Sequence, residues 1–206
     1  SHPPPDDRVQ RVQTFVRQAE GTAPKFTTDH EGFQKRVVGI VWGDSPEQGI
    51  VRGSRFLHKG LRISIDFPSG WSVDNGQQQV VAKEPGTSAV VIRQPVRRAA
   101  GRTLEDIAII SMQNAGLARI DGAPTTVGGL NAYLGTYEGT LQNLGRVRVR
   151  ALHVRNNMDL YLLAGIAPVD AYAKVEPAFT KSLQSFKALS AADAERLKPN
   201  RIALYR

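Results

Sequence analysis

The chain has 206 residues, of which 41% are hydrophobic and 22% are charged, and its 27 Lys and Arg residues against 19 Asp and Glu give a net charge of +8. The absence of cysteine excludes disulfides, thiolate zinc sites and cysteine nucleophiles. No apolar run approaches the ~20 residues that a membrane-spanning helix needs, and residues 1–8 lack the apolar core of a signal peptide, so any export signal is expected to lie outside this sequence.

Residues 1–59 are predicted to form a helical segment followed by a linker. Asp6 and Asp7 suit the first turn of a helix, because acidic side chains there interact favourably with the helix dipole. Apolar residues then recur at three- and four-residue spacing on one face: Val9, Val12, Phe15 and Val16. We expect this stripe to be covered, either by the chain's own sheet domain or by a second copy of the chain.

A second helix is predicted to begin near Thr28 and Asp29 and to end at the turn of residues 43–46. Its inner face would carry apolar residues at helical spacing: Phe33, Val37, Ile40 and Val41.

Residues 60–187 change to the period of two that is typical of strands. Apolar residues alternate with polar ones in a strand with one buried face: Leu61, Ile63, Ile65 and Phe67. Further strands are predicted at Gln78–Ala82 and Ala89–Gln94. A helix should follow from Thr103 to about Gly116, with Thr103 as its N-cap.

The rest of this zone reads as an antiparallel meander of short strands. They are predicted at Ile120–Val127, Asn131–Gly139, Arg146–Arg155 and Asp159–Gly165. In the third of these strands, Val147 and Val149 would point to one face of the sheet and Leu152 and Val154 to the other. This change predicts a bulge near Ala151.

A long helix is predicted to begin at Pro168, with an apolar stripe that covers the sheet. Residues 188–206 are predicted to be a linker toward a region outside this sequence. The predicted fold class is therefore α+β: an antiparallel β-sheet flanked by helices and preceded by an N-terminal helical segment.

The sequence carries no catalytic motif. No two histidines form an HExxH pair, and all four are scattered: His2, His30, His58 and His153. There is no G-x-S-x-G nucleophile elbow and no P-loop. The acidic pairs Asp6–Asp7 and Glu105–Asp106 lie at predicted helix starts, where capping explains them. We therefore expect no catalytic, metal-binding or cofactor-binding residue in this chain.

The basic residues suggest a contact with an anionic partner. They fall into two groups, around a strand end and along one strand face: Arg93, Arg97, Arg98 and Arg102, and Arg146, Arg148 and Arg150. The strand arginines are equally compatible with a solvated face on which their aliphatic stems cover apolar surface. Aromatic residues do not alternate with these arginines, which argues against single-stranded nucleic acid.

Two stretches of the chain resemble one protease family. The first is SHPPPDDRV at residues 1–9, and the second is WGDSPEQGIVRG at residues 42–53, followed by Phe56, Leu57 and His58. They are similar to the last part of bacterial HtpX-like, CAAX-prenyl-protease-type zinc metallopeptidases, peptidase family M forty-eight. The likeness covers about residues 1–70 and weakens beyond them.

This resemblance implies that the chain is the non-catalytic C-terminal part of an exported protease. The family's HExxH helix and downstream glutamate ligand are absent here, so the zinc would belong to the parent protease and no cofactor to this fragment. His2 and Arg8 would be remnants of the protease cleft. The implied partners are the upstream protease domain and a protein substrate or envelope partner, in the periplasm or another extracytoplasmic compartment. The N-terminal helices could also join two copies.

A second resemblance covers residues 60–187. Its elements follow the order found in PsbP-like domains. They are the stretch RISIDFPSGW at residues 62–71, a later helix, GGLNA at residues 128–132, a meander, and a final helix that ends in SLQSF at residues 182–186. Such domains mostly bind partners and rarely catalyse, so the resemblance implies a binding role.

Three non-enzymatic functions follow. The leading one is an accessory domain that recruits substrates or partners to an exported zinc metalloprotease, or regulates access to it. The second is a free-standing small-molecule module, with a cavity between the last helix and the sheet lined by Trp71, Tyr133, Tyr161 and Tyr172. The third is a module that binds an anionic surface through the arginines.

Overall fold

The computed structural model describes residues 5–19, 29–40, 43–96, 102–199 and 201–203. The chain divides into two compact units, one of Ser1–Ile40 with Arg201–Arg206 and one of Val41–Asn200. The predicted divisions at residues 59 and 187 stay predictions.

The first unit contains the helices α1 (Pro5–Ala19) and α2 (His30–Val37). Asp29 is the N-cap of α2, and its Oδ1 accepts a hydrogen bond from the Gly32 N–H at 2.7 Å. The helix ends at Val37, before the predicted turn at residues 43–46. The Gly39 N–H donates to the carbonyl of Ile202 at 2.9 Å, which ties this end of α2 to the C-terminal segment of the same unit.

The apolar stripe of α1 is exposed to solvent. Its members are 46–73% exposed in the single chain: Val9, Val12, Phe15 and Val16. Phe33 of α2 is 65% exposed as well, and α2 buries no residue among those described. These exposures refer to the single chain, so cover of the α1 stripe by the sheet domain or by a second copy stays a prediction.

The described strands of the second unit form two antiparallel sheets. The small sheet has the order β1 (Ile50–Arg52), β2 (Arg55–His58), β3 (Ile63–Asp66) and β11 (Lys187–Ala188). The large sheet has the order β4-β5-β6-β10-β9-β8-β7. Its strands are β4 (Ser72–Asn75), β5 (Val80–Lys83), β6 (Val90–Pro95), β7 (Leu117–Val127), β8 (Leu130–Leu141), β9 (Gly145–Asn156) and β10 (Asp159–Pro168).

Helices cover both faces of the large sheet. On one face α4 (Val169–Gln184) and the small sheet enclose an apolar cluster that includes Phe56, Leu163 and Phe179. On the other face α3 (Leu104–Asn114) packs over a second cluster that includes Met112 and Tyr137. A short helix, α5 (Ala191–Glu195), follows β11. The predicted α+β class is therefore confirmed.

The predicted bulge near Ala151 is wrong. β9 pairs without a register shift with both β8 and β10, so its side chains alternate regularly between the two faces. Because helices cover both faces of the sheet, apolar residues occur at both odd and even positions of β9. This sequence pattern resembles that of a register shift. A register shift does occur in β7, between Arg119 and Asp121.

Capping fixes the start of α3 as predicted. The Thr103 side chain accepts the Asp106 N–H at 3.1 Å, and the Asp106 carboxylate accepts the Thr103 N–H at 3.1 Å. This reciprocal pair satisfies two amide groups that have no partner inside the helix. It also lowers the pKa of Asp106, because its hydrogen bonds from Thr103 favour the ionised form.

Candidate ligand-binding cleft

A cleft of about 1070 Å³ opens between the small sheet and the β4–β5–β6 side of the large sheet. Apolar, amide and charged side chains line it, including Gln48, Phe56, His58, Asn75, Arg93 and Tyr161. Three consecutive glutamines, residues 77–79 in the turn between β4 and β5, form one rim. The cleft lies within the unit Val41–Asn200.

The loop before β1 shapes the wall made by the small sheet. The Asp44 carboxylate accepts a hydrogen bond from the Val51 N–H at 3.0 Å and folds residues 44–50 into a closed loop. Gly49 has a φ of 98°, and a Cβ at this position would overlap the ring of Phe56. Glycine therefore lets the loop pass close to Phe56, whose ring is fully buried at the cleft wall.

Arg93 is a buried cation in the wall made by the large sheet. It lies in β6, opposite Val80 of β5 on one side and Leu163 of β10 on the other, and is 6% exposed. Its guanidinium carbon is 5.0 Å from the ring centre of Tyr161 and 5.8 Å from that of Phe56, which are cation–π distances. Its Nε is buried and has no hydrogen-bond partner among the described residues.

None of the ion pairs among the described residues includes Arg93. Burial lowers the pKa of Arg93, and Tyr161 opposes this effect. The carboxylate of Asp159 also lines the cleft, but it is exposed and lies 3.5 Å from the Tyr161 hydroxyl, which donates to it. Burial, followed by Asp159, raises the pKa of Tyr161 to about 12, so this hydroxyl stays protonated.

Asn75 presents a second polar atom without a partner. Its Nδ2 donates to the Gly49 carbonyl at 2.9 Å, and since a carbonyl only accepts, this contact fixes which end of the amide is nitrogen. The other end, Oδ1, is buried and accepts no hydrogen bond from the described residues. Asn75 is opposite Val80, so Asn75, Val80 and Arg93 form a row across β4, β5 and β6.

His58 of β2 lines the cleft as a neutral ring. Its Nδ1 accepts the Leu61 N–H at 3.1 Å, which leaves the proton of the neutral imidazole on Nε2. Burial and, second, the charge of Arg93 lower the pKa of His58, while Glu47 acts in the opposite direction. The ring meets Phe56 edge to face, with centroids 6.2 Å apart.

The strand arginines singled out from the sequence lie away from this cleft. Arg146 and Arg148 of β9 both donate to the Glu138 carboxylate of β8, through their Nε atoms at 2.9 and 3.2 Å. The Arg148 guanidinium also lies 5.6 Å from the ring centre of Tyr172. These hydrogen bonds lower the pKa of Glu138. The two side chains are thus paired with an acidic residue of the neighbouring strand, and that of Arg146 remains largely exposed.

The remaining predicted arginines fall into different settings. Arg150 donates to the Thr136 hydroxyl and lies 3.4 Å from the Asp121 carboxylate. Arg102 is exposed at the start of α3. Arg97, Arg98 and His2 lie outside the described residues, as does the side chain of Arg8, whose backbone belongs to α1. An anionic contact through these residues stays a prediction.

The four aromatic residues predicted to line one cavity do not lie together, although three of them are on one face of the large sheet. Tyr161 lines the cleft, whereas Trp71 and Tyr172 pack against Phe179 with ring centres 6.1 Å away in both cases. Tyr133 lies on the opposite face, where its hydroxyl is 3.2 Å from Glu105 of α3. The four therefore do not enclose a common cavity, and three of them belong to the core.

Sequence reasoning missed the roles of Asn75 and His58, and it grouped Arg93 with exposed arginines. A signal for Arg93 was present, because it shares its phase with Val91 in the predicted strand Ala89–Gln94 and so points to the buried face. No such signal exists for Asn75, which lies in a strand that the sequence did not predict.

Among the described residues, no group of three His, Asp or Glu side chains is arranged to hold a metal ion. No helix in the described part of the chain has the length and hydropathy to cross a membrane.

No known protein family and no curated protein matches the sequence. The fold is nevertheless similar to solved structures. The solution structure of cyanobacterial PsbP (CyanoP) from Synechocystis sp. PCC 6803 aligns with 68% of this chain and 95% of its own, at 15% identity and a TM-score of 0.51.

Two crystal structures align with lower scores. A protein of unknown function from Pseudomonas aeruginosa covers 59% of this chain and 88% of its own, at 14% identity and a TM-score of 0.43. LpqN from Mycobacterium tuberculosis, which is involved in cell envelope biogenesis, covers 82% of this chain and 100% of its own, at 13% identity and a TM-score of 0.40. The likeness to CyanoP concerns the fold alone, and the predicted PsbP-like domain is confirmed at that level.

Proposed function

We propose that the unit Val41–Asn200 is a non-catalytic binding module and that the cleft beside Arg93 holds a small organic molecule. The observation that carries this proposal is a cleft of about 1070 Å³ that combines aromatic walls with buried polar atoms lacking partners. Ligand sites typically combine a mostly apolar lining with a few convergent polar groups.

The lining supports binding better than catalysis. It contains no Ser, Thr, Cys or Lys among the described residues, so His58 has no aliphatic hydroxyl, thiol or amine beside it to activate, and the Tyr161 hydroxyl donates to Asp159. The Nδ1 of His58 is occupied by the backbone, and Asp159 lies at the exposed rim. Its groups are therefore suited to holding a ligand rather than transforming it.

A fragment screen by ligand-observed NMR tests this proposal. Neutral, cationic and anionic fragments are screened against the wild-type chain and against Gln78→Trp, which places a large ring at the rim of the cleft. Gln113→Trp is the matched control, because Gln113 is an exposed residue of α3 outside the cleft. Fragments that bind wild type and Gln113→Trp but not Gln78→Trp would support the proposal. A screen without binders, or binders that Gln78→Trp leaves unaffected, would refute it.

A second proposed role is that of an accessory domain in an exported zinc metalloprotease, in the periplasm or another extracytoplasmic compartment. It rests on the two resembling stretches, of which residues 43–53 build the loop behind the cleft wall and contribute Gln48 to the lining. In this role the cleft would act in recruitment or regulation, and the zinc would be held by the parent protease.

The accessory role is tested on the parent gene and its product. It requires an HExxH motif encoded upstream of Ser1, and a parent protease whose cleavage of a protein substrate changes when the cleft is blocked by Gln78→Trp. An upstream region without that motif would rule this role out while leaving the binding module untouched.

A further inference from the structure

Arg93 has no ion-pair partner among the described residues, and this indicates that the cleft lacks an anion. A buried guanidinium is costly unless an anion or a full set of hydrogen-bond acceptors compensates it. The two aromatic rings near Arg93 supply cation–π contacts, but its Nε has no acceptor and no carboxylate pairs with it among the described residues. The planar donors of arginine match the oxygens of a carboxylate or a phosphate.

The unpartnered Oδ1 of Asn75 adds a second requirement at a defined separation. Asn75 and Arg93 are two strands apart in the same row, so their Cα atoms are about 10 Å apart at the usual spacing of ~4.8 Å between strands. Asn75 Oδ1 accepts hydrogen bonds and Arg93 donates them. A ligand that satisfies both therefore has an acceptor at one end and a hydroxyl or N–H donor at the other.

The surfaces between these two groups are apolar. Val80 separates them on the sheet, and Phe56 of β2 and Leu61 of the turn between β2 and β3 also line the cleft. A short hydrocarbon or aromatic body suits this stretch better than a chain of charges, because burying further charges would need further partners.

We infer that the ligand of the cleft is a small organic acid, with a carboxylate or phosphate paired with Arg93, an apolar body, and a hydroxyl or N–H group that donates to Asn75. This inference rests on the proposed function, since it names the chemical class of ligand for the same cleft. The neutral His58, with its proton on Nε2, supplies a further donor at the wall.

Four related probes separate the parts of this inference: hexanoate, hexyl phosphate, 6-hydroxyhexanoate and the neutral hexanamide. Binding is followed by the NMR signal of the Arg93 Nε–H group, which reports on the guanidinium directly in the wild-type chain. Hexanoate and hexyl phosphate distinguish a carboxylate from a phosphate. 6-Hydroxyhexanoate adds the donor for Asn75 and is expected to bind about fivefold more tightly than hexanoate.

The variant Arg93→Gln is expected to weaken the binding of both oxyanions by about tenfold or more, because a charged hydrogen bond is lost. Arg155→Gln removes the same charge from an exposed position outside the cleft and should leave affinity unchanged. Far-ultraviolet circular dichroism and the thermal midpoint show whether Arg93→Gln is folded. If Arg93→Gln is not folded, the response of the Arg93 Nε–H signal in the wild-type chain decides whether oxyanions bind at Arg93.

The outcomes separate this inference from the proposed function. If hexanamide binds as tightly as hexanoate, or no oxyanion moves the Arg93 signal while neutral fragments bind in the screen, the inference falls and the binding module stands. If neither the probes nor any fragment binds in the cleft, both fall. Oxyanion binding that Arg155→Gln weakens as much as Arg93→Gln would indicate a diffuse charge effect and overturn the inference.

Discussion

The buried ring of His153 is predicted to make the stability of the fold depend on pH. His153 lies in β9 opposite Tyr133 of β8 and is 1% exposed, and neither ring nitrogen has a hydrogen-bond partner among the described residues. Burial disfavours the charged imidazolium and lowers the pKa of His153 to about 4, from an ordinary value of 6.5. The folded state therefore keeps this ring neutral at pH values where the unfolded chain already binds a proton.

The sign and size of the effect follow from these two pKa values. Above pH 6.5 His153 is neutral in both states and has little effect on stability. As the pH falls from 6.5 towards 4, the unfolded state takes up the proton first, so the free energy of unfolding decreases. Because one pKa unit corresponds to ~1.4 kcal/mol, His153 is expected to cost about 2 kcal/mol of stability between pH 7 and pH 5.

Urea unfolding at pH 7 and pH 5 measures this loss. His153→Phe keeps a ring at the buried position without a titrating group, and should lose about 2 kcal/mol less than wild type between the two pH values. His30 is an exposed residue within 2.9 Å of Gln34, so His30→Gln is the matched control and should retain the wild-type loss. Equal losses in wild type and His153→Phe, or an NMR titration that places the pKa of His153 near 6.5, would refute the reasoning.

Three further predictions concern the cleft, the core and the start of α3. Arg93→Gln should raise the pKa of His58, because the charge of Arg93 contributes to lowering it; an NMR titration in which that pKa stays in place would contradict this electrostatic effect. Gly165→Ala should destabilise the fold by about 1–3 kcal/mol in urea unfolding, since the new methyl group would overlap the ring of Phe179, and adding Phe179→Leu should recover part of the loss. If the double variant is no more stable than Gly165→Ala, the overlap is not the cause. Thr103→Ala should cost about 1 kcal/mol through loss of the N-cap, whereas Thr103→Ser should cost much less; similar losses in both would show that the hydroxyl does not act as a cap.

The strands and helices with clear periodicity could be predicted from the sequence. The strand around Ile63 and Ile65, the α3 helix with its N-cap Thr103, and the long helix after Pro168 all occur near their predicted positions. These segments were predictable because their apolar residues repeat every two or every 3.6 residues, which are the periods of a strand and a helix. The central strand β9 does not show a simple alternation of apolar and polar residues, because both of its sides are covered.

Two strands of the small sheet were missed although a signal was present. β1 and β2 pair antiparallel, and their partners Arg52 and Arg55 enclose Gly53 and Ser54. A Gly-Ser pair between short apolar runs is typical of a tight hairpin. The strands are only 3 and 4 residues long, and the family resemblance drew these residues into a predicted linker. As a result, the wall that carries Phe56 was not foreseen.

The cleft itself could be predicted only in part. The position of Arg93 in a strand indicates which side chains share its face, but not that this face is covered by the small sheet or that no carboxylate of the described residues forms an ion pair with it. These facts depend on contacts between residues far apart in sequence. For the same reason the stripe of α1 was correctly predicted as one face of a helix, while its exposure was not.

The irregular strand β7 has a consequence for the solubility of the protein. β7 is an outer strand of the large sheet and most of its residues are exposed, so one row of its backbone groups has no neighbouring strand in the part of the chain that the structure describes. A long, flat edge of this kind recruits strands from other molecules and starts aggregation. The register shift between Arg119 and Asp121 disturbs the regular hydrogen-bonding row, and Pro124 removes one N–H from the strand. The shift that interrupts pairing with β8 thus also protects the sheet from edge-to-edge association.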